Sequence, residues 1–422
     1  MDNNKHKHTS LIIIGIDFGS TSSSAAFNRP NSSTEIHILH HWPDAVKWSF
    51  DQVPRGAEIQ SIVYYSPDIE VVGWSGLANR DEVVTAQGNL KPGIHPAPDF
   101  KAQLFPPTEA QPGLLPRGKT IEDITVDFLC HLRRSIQEQL AWRDCRGTLQ
   151  FMMTVPAFWD DETREKFRGI TKTAGFGQGE KLELISSLEA ALFNAHYAMP
   201  TFNAGDNILV LDCGGHLVEA AVYQVKSTSP LKIDRRTSVS VASCGSAEVT
   251  RQFMTIAGNK INKAGFPDHG RTKPRMRLRA KRAFEKDLLF GDVLGRPEFK
   301  FDLPPEVLDG FWVADLGVEM DCPEANILEG YMVFSEDEIY PCFDAAVERT
   351  LGLVREQVDA MHEQNEQIQG CLLVGGFNRC HYYNRNVKSG ISESGGTIEV
   401  NNRTIPFAKG AILAGLDRLN IP

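Results

Sequence analysis

Two short stretches of this chain carry residue types that can handle a phosphate. Residues 12–27 (IIIGIDFGSTSSSAAF) and 208–223 (ILVLDCGGHLVEAAVY) share one plan: an apolar run, an aspartate, a glycine two residues later, a small turn and a second run. Asp17 corresponds to Asp212, and Gly19 to Gly214. In such a turn glycine lets the backbone approach an anion, successive N–H groups point at its oxygens, and the aspartate organises a hydrated Mg²⁺. Asp-x-Gly followed by polar residues also occurs in ordinary hairpins. One such turn says little, and the recurrence is what gives it weight.

Bringing two turns to one ligand requires two lobes. Self-similarity at so long a spacing points to a pair of related lobes around a cleft, not to a solenoid, whose repeats recur every ~20–50 residues. Residues 121–140 (IEDITVDFLCHLRRSIQEQL) place apolar side chains three and four apart with acids in the first turn, which predicts a helix packed on a sheet. Residues 90–118 hold seven prolines and little periodicity, and read as a surface connection around Phe100 and Lys101. Residues 336–369 are again helical in pattern, followed by the strand CLLVGG; residues 407–422 (FAKGAILAGLDRLNIP) form a small-residue helix with no further folding unit expected after it. The expected class is α/β, with two mixed sheets flanked by helices around a central cleft. The expected boundaries are 10–205 for the first lobe, 206–385 for the second, and 386–422 for a segment returning to the first.

Composition narrows the partners. A chain of 422 residues with 41% hydrophobic and 23% charged residues is ordinary globular protein, long enough for two or more domains. A net charge of −10 argues against general nucleic-acid or membrane-surface binding, which needs a positive field. The run Arg271 to Arg282 holds seven basic residues in twelve, but alternates with Met276, Leu278 and Ala280 and reads as the solvated face of a helix. The eight cysteines form no CxxC pair, so neither zinc nor a disulfide framework is indicated and reduced thiols are expected. The polar start MDNNKHKHTS and the short apolar run after it make cytoplasm the expected compartment.

In order, the motifs IGIDFGSTSSSAAF, FMMTVPAFWDD, ILVLDCGGHLVEAAVY, ASCGSAEVTRQF, RAKRAF, CLLVGGFNR and AKGAILAGL resemble the ATPase domain of the seventy-kilodalton heat-shock proteins, with the GGF of the divergent cytosolic branch common in fungi. The resemblance covers residues 10–417 and implies an actin-like fold without the peptide-binding domain. By position it implies that Asp17 and Asp212 would hold a metal shell. Gly19, Ser20, Thr21, Gly214, Gly215 and Gly245 would then face phosphates. Lys101 would stand where the family keeps a catalytic lysine, Lys281 and Arg282 would pack on adenosine, and Gly375, Gly376 and Arg379 would lie under base and ribose.

The second hairpin departs from the family's Asp, x, three glycines, Thr, x, Asp. The third glycine is His216, the hydroxyl is Leu217 and the distal aspartate is Glu219, while Ser187 stands where a catalytic acid belongs. These changes oppose a γ-phosphate, so efficient ATP hydrolysis is not expected. Two readings stay open. In the first, the cleft has been turned to a small organic molecule, with His216, Lys101 and Glu219 as candidate catalytic groups for a cyclisation or pericyclic ring closure that needs no cofactor. In the second, ATP or ADP with Mg²⁺ still binds weakly, and the chain is a switch or scaffold acting through protein partners.

Overall fold

The structure, a computed structural model, describes residues 11–29, 35–42, 56–75, 83, 90–106, 115–198, 202–264, 272–286, 298–302, 322–328, 330–392, 397–398 and 405–419. The N-terminal segment read as polar, Arg271 and the last three residues lie outside that set. The architecture is mixed α/β. One large sheet takes β1 (Leu11–Phe18), β2 (Ser22–Asn28), β3 (Ile36–Ile38), β4 (Thr148–Val155) and β5 (Lys181–Ser186) in the order β3-β2-β1-β4-β5. The other takes β6 (Asn207–Cys213), β7 (Val218–Thr228), β8 (Leu231–Arg235), β9 (Gly370–Val374) and β10 (Thr397–Ile398) in the order β8-β7-β6-β9-β10. In each sheet the first three strands are antiparallel and the last two run parallel to the first strand. The two sheets therefore repeat one topology.

The central strands are apolar on both faces, as strands covered on both sides must be: Ile12, Ile13, Ile14 and Ile16 of β1 are fully buried. The outer face of the first sheet is covered by α1 (Ile121–Trp142) and α2 (Asp161–Thr173). α1 starts where the sequence places it, because the Asp123 N–H donates to Thr120 Oγ1 (3.1 Å) and the Thr120 N–H to Asp123 Oδ2 (2.9 Å), a reciprocal cap. α3 (Ser187–Ala198) lies on the inner face of the same sheet. α4 (Ser246–Lys263), α5 (Thr272–Phe284), α6 (Glu336–Glu363) and α7 (His381–Ile391) cover the outer face of the second sheet. α8 (Pro406–Arg418) packs along α3, and the pair fills the space between the sheets in one apolar core with Ile13 and Met152 on one side and Val210, Ala221 and Leu372 on the other.

Two expectations need correction. Residues 90–118 are more than a surface connection: the strand His95–Pro98 pairs with Ile62–Tyr65, and Phe100 is wholly buried against Phe18 and Phe128. The part of that stretch at 107–114 lies outside the described residues. The chain also stays with the second sheet past residue 385, since α7 straddles that boundary and β10 adds the sheet's last strand; it returns to the first lobe with α8. The basic run forms α5, with Met276, Ala280 and Phe284 buried beneath it and Arg279 paired with Asp302. Among the described residues, no helix is long and apolar enough to cross a membrane.

Candidate functional site

Both recurring motifs fold as tight antiparallel hairpins whose turns meet between the lobes. In the first, β1 ends at Phe18, residues 19–21 turn, and Asp17 faces Ser24 across the pair. In the second, β6 ends at Cys213, residues 214–217 turn, and Asp212 faces Glu219. Thr21 packs directly on Gly215: a Cβ placed at Gly215 would fall 2.4 Å from Thr21 Cγ2. The N–H groups of Ser20, Thr21, Gly215 and His216 have no hydrogen-bond partner among the described residues.

Below the turns sits a cluster of three carboxylates and one ammonium. Thr154 Oγ1 donates to Asp17 Oδ1 (2.9 Å), and burial pushes the Asp17 carboxyl up to about 6 against the opposing pull of Lys101. Burial, then the neighbouring Glu219 and Asp17 charges, push Asp212 up to about 8. Glu219 is buried; its Oε1 accepts from the Phe158 N–H (3.1 Å) and its Oε2 from Ser187 Oγ (3.4 Å), while burial raises its pKa. Lys101 comes from the helical turn Phe100–Gln103; its Nζ donates to the Phe18 carbonyl and lies 4.9 Å over the Phe18 ring. Burial lowers its pKa while Asp17, Glu219 and Asp212 hold it up, so it is no solvated lysine.

A second cluster gathers around His216 of the second turn. His216 Nε2 lies 3.6 Å from Asp99 Oδ1, and Lys281 Nζ lies 3.7 Å from Glu285 Oε1. Burial lowers the His216 pKa, Asp99 opposes this and Lys281 adds to it, so the ring is neutral near pH 7. Its Nδ1 is buried without a partner among the described residues. Arg282 acts electrostatically on both Glu285 and Tyr64. The expected catalytic set is thereby split: Lys101 and Glu219 share the carboxylate cluster, and His216 belongs to the second group with Asp99 and Lys281.

The remaining candidates brace the second turn. Gly375 has φ of +94°, and a Cβ there would fall 2.3 Å from the Cys213 carbonyl oxygen and 2.6 Å from Asp212 Oδ1, so only glycine fits. Gly376 faces open space. Gly245 caps α4: its N–H donates to His216 O (3.2 Å), and the Ser246 and Ala247 N–H groups donate to the carbonyls of Gly214 (3.4 Å) and Gly215 (2.7 Å). Its expected place facing phosphates is corrected, because that helix terminus is already satisfied by the turn. The Arg379 guanidinium reaches the other lobe, donating to both oxygens of Glu58 at 3.3 and 2.7 Å. Phe377 is fully buried and stacked 3.8 Å from Tyr383, so it belongs to the core.

Glu58, Asp99, Thr154 and Glu285 were not legible as site residues. Thr154 offered a signal, a hydroxyl after the apolar run Phe151–Met153 of its strand; Glu58 offered none. Ser187 does stand beside the carboxylates, and Glu189 is turned away, accepting from the Ser186 N–H (3.4 Å). Among the described residues no group of three His, Cys, Asp or Glu side chains is placed to hold a metal ion, and none of the eight cysteines is joined in a disulfide. No protein-family model matches the chain, and no curated protein is significantly similar to it in sequence.

Proposed function

We propose that the chain is a degenerate nucleotide-binding domain of the actin-like, heat-shock type, whose inter-lobe cleft takes a nucleoside di- or triphosphate and turns it over poorly. The reading rests on one observation above the others: the two turns, whose N–H groups at Ser20, Thr21, Gly215 and His216 have no hydrogen-bond partner among the described residues, meet beside the strand end where Lys101 donates to the Phe18 carbonyl. Convergent N–H donors beside a fixed cation form an anion site. The repeated sheet topology and the motif resemblance agree with it. Asp17 and Asp212 would share a hydrated Mg²⁺ arriving with the nucleotide, which would displace the proton that burial holds on Asp212 and neutralise phosphate charge.

Slow turnover follows from the same geometry. Ser187 supplies a hydroxyl where the resemblance requires an acid, the Leu217 side chain donates nothing, and His216 adds a neutral ring 3.6 Å from Asp99. Phosphoryl transfer depends on positioned charge, so these losses cost orders of magnitude in rate. The cyclisation reading has less support, because the groups gathered at the turns recognise anions. Calorimetry with ATP and with ADP in Mg²⁺, alongside a phosphate-release assay, tests the proposal. Binding with dissociation constants of roughly 10–500 μM and negligible release is expected; no heat at millimolar nucleotide would send the search to organic ligands.

A further inference from the structure

We propose that the edge of the first sheet carries a second ligand site, in which Trp142 stacks a flat aromatic ring and Arg143 binds the anionic group which that ring bears. The inference is independent of the nucleotide reading of the cleft. Trp142 is the last residue of α1 and is 72% exposed, although tryptophan is highly buried on average. Its ring is not loose. The His41 imidazole meets it edge-on, with centroids 5.0 Å apart and planes at 75°, and the Arg143 guanidinium lies 5.5 Å from its centre. An indole fixed by two side chains and left open to solvent is a stacking platform whose ordering cost is met before a ligand arrives.

The same segment is organised for charge. Arg143 also lines a groove of about 380 Å³ along β3, the outermost strand of that sheet, with Glu35, Ile36, His37, Ile38 and His40. That volume lies in the range of small-molecule sites. Gln139, buried one turn back in α1, accepts at Oε1 from the His41 N–H (3.1 Å) and from Arg143 Nη1 (3.5 Å), so one amide sets the position of both. Nη1 is the only Arg143 side-chain donor with a hydrogen bond among the described residues. Nε and Nη2 are left as a parallel pair, the edge that a carboxylate or phosphate takes in two-pronged fashion. Arg29 Nη2 donates to the Arg143 carbonyl (3.5 Å) and brings a second guanidinium to the helix end, while Arg146 is paired with Asp144. Burial, then Arg143 and His41, lower the His40 pKa, so that ring is neutral at pH 7. Glu35 is the only acid among the described residues that line the groove. The result is a positive place on a chain of net charge −10, and an aromatic anion matches both of its parts, ring to indole and charge to guanidinium.

Calorimetric titration with naphthalene carboxylate, naphthyl phosphate and the neutral naphthalene carboxamide tests the site on wild type, Trp142→Ala, Trp142→Phe and Arg143→Gln. No probe contains a nucleoside, and position 142 is an exposed helix end whose variants keep the core intact. Wild type should bind at least one of the anions with a dissociation constant of roughly 0.1–1 mM, and the amide about tenfold more weakly. Trp142→Ala should weaken the anions about tenfold and Trp142→Phe about threefold at most, because the smaller ring still stacks. Arg143→Gln should bring the anions down to the level of the amide. Whichever anion binds more tightly names the ligand class, aromatic acid or aryl phosphate ester. Failure of both anions to bind at about 5 mM overturns the proposal. So does an amide that binds as tightly as the anions, or a Trp142→Ala protein with the wild-type affinity for them.

Discussion

The two hairpins share strand directions, turn position and burial, yet their aspartates differ. Asp17 faces a serine across its pair and is supported by Thr154 and Lys101; Asp212 faces Glu219 and is pushed about two pKa units higher, to about 8 against about 6. Burial acts first on both, so the difference comes from the residue on the facing strand and from the distribution of one ammonium among three carboxylates. A duplicated backbone has thus been given two electrostatic characters. At neutral pH one turn stands over an ionised carboxylate and the other over a protonated one.

The strongest way to break that arrangement is to remove the ammonium that the three carboxylates share. Lys101→Ala leaves three buried carboxylates without the ammonium beside them, and should destabilise the fold by about 3 kcal/mol at pH 7, with most of the loss recovered near pH 4. Urea unfolding at the two pH values reads it. The next effect has the opposite sign. Asp212 has a folded pKa near 8 and an unfolded one near 3.8, so the native state holds a proton that the unfolded state releases. The stability tied to that proton is fully present below about pH 4 and is lost as pH rises through 8. Asp212→Asn should therefore match wild type near pH 4 and exceed it by about 2 kcal/mol at pH 8.5 in the absence of Mg²⁺. Equal pH profiles for the two proteins would show that Asp212 is not the group held protonated.

The hairpins were legible because strand, aspartate, glycine and strand follow each other in the chain, and local order is what sequence writes most clearly. α1 was legible for the same reason, its cap and its apolar stripe lying within one segment. The stretch around Lys101 was not. Prolines mark it as irregular, while the four-residue strand His95–Pro98 and the single turn after it are too short to show a period, so the burial of Phe100 had no pattern to announce it. The Arg379–Glu58 pair joins residues 321 apart in sequence, and nothing near either one points to the other. The motif departure at His216 flagged the position but not its partner, because Asp99 belongs to the other lobe.

Shortening Glu219 tests whether the second hairpin's character comes from charge alone or from reach as well. Glu219→Asp keeps the carboxylate opposite Asp212 but pulls it from the Phe158 N–H and Ser187 hydroxyl, leaving two groups of the first lobe unpaired. A loss of about 1.5 kcal/mol is expected at pH 7. The Asp212 effect should persist, so Asp212→Asn still stabilises the Glu219→Asp protein at pH 8.5. A Glu219→Asp variant as stable as wild type would mean that those two contacts contribute nothing to holding the lobes.

The smallest effect separates the turns themselves. At Gly19 an added Cβ would fall 2.1 Å from the carbonyl oxygen of Ser22, within its own turn; at Gly215 it would fall 2.4 Å from Thr21 Cγ2 and 2.9 Å from Thr21 Oγ1, a side chain of the other lobe. The first collision is with backbone and has no remedy short of rebuilding the hairpin. The second is with atoms that one substitution removes, since only Thr21 Cβ, at 3.2 Å, would remain. Gly215→Ala should cost about 1 kcal/mol, and Thr21→Ala in the same chain should recover most of it, giving a favourable coupling of roughly 0.5–1 kcal/mol in a double-mutant cycle. Thr21→Ala should recover nothing in a Gly19→Ala chain. Absence of coupling between positions 21 and 215 would mean that the turns do not touch in solution.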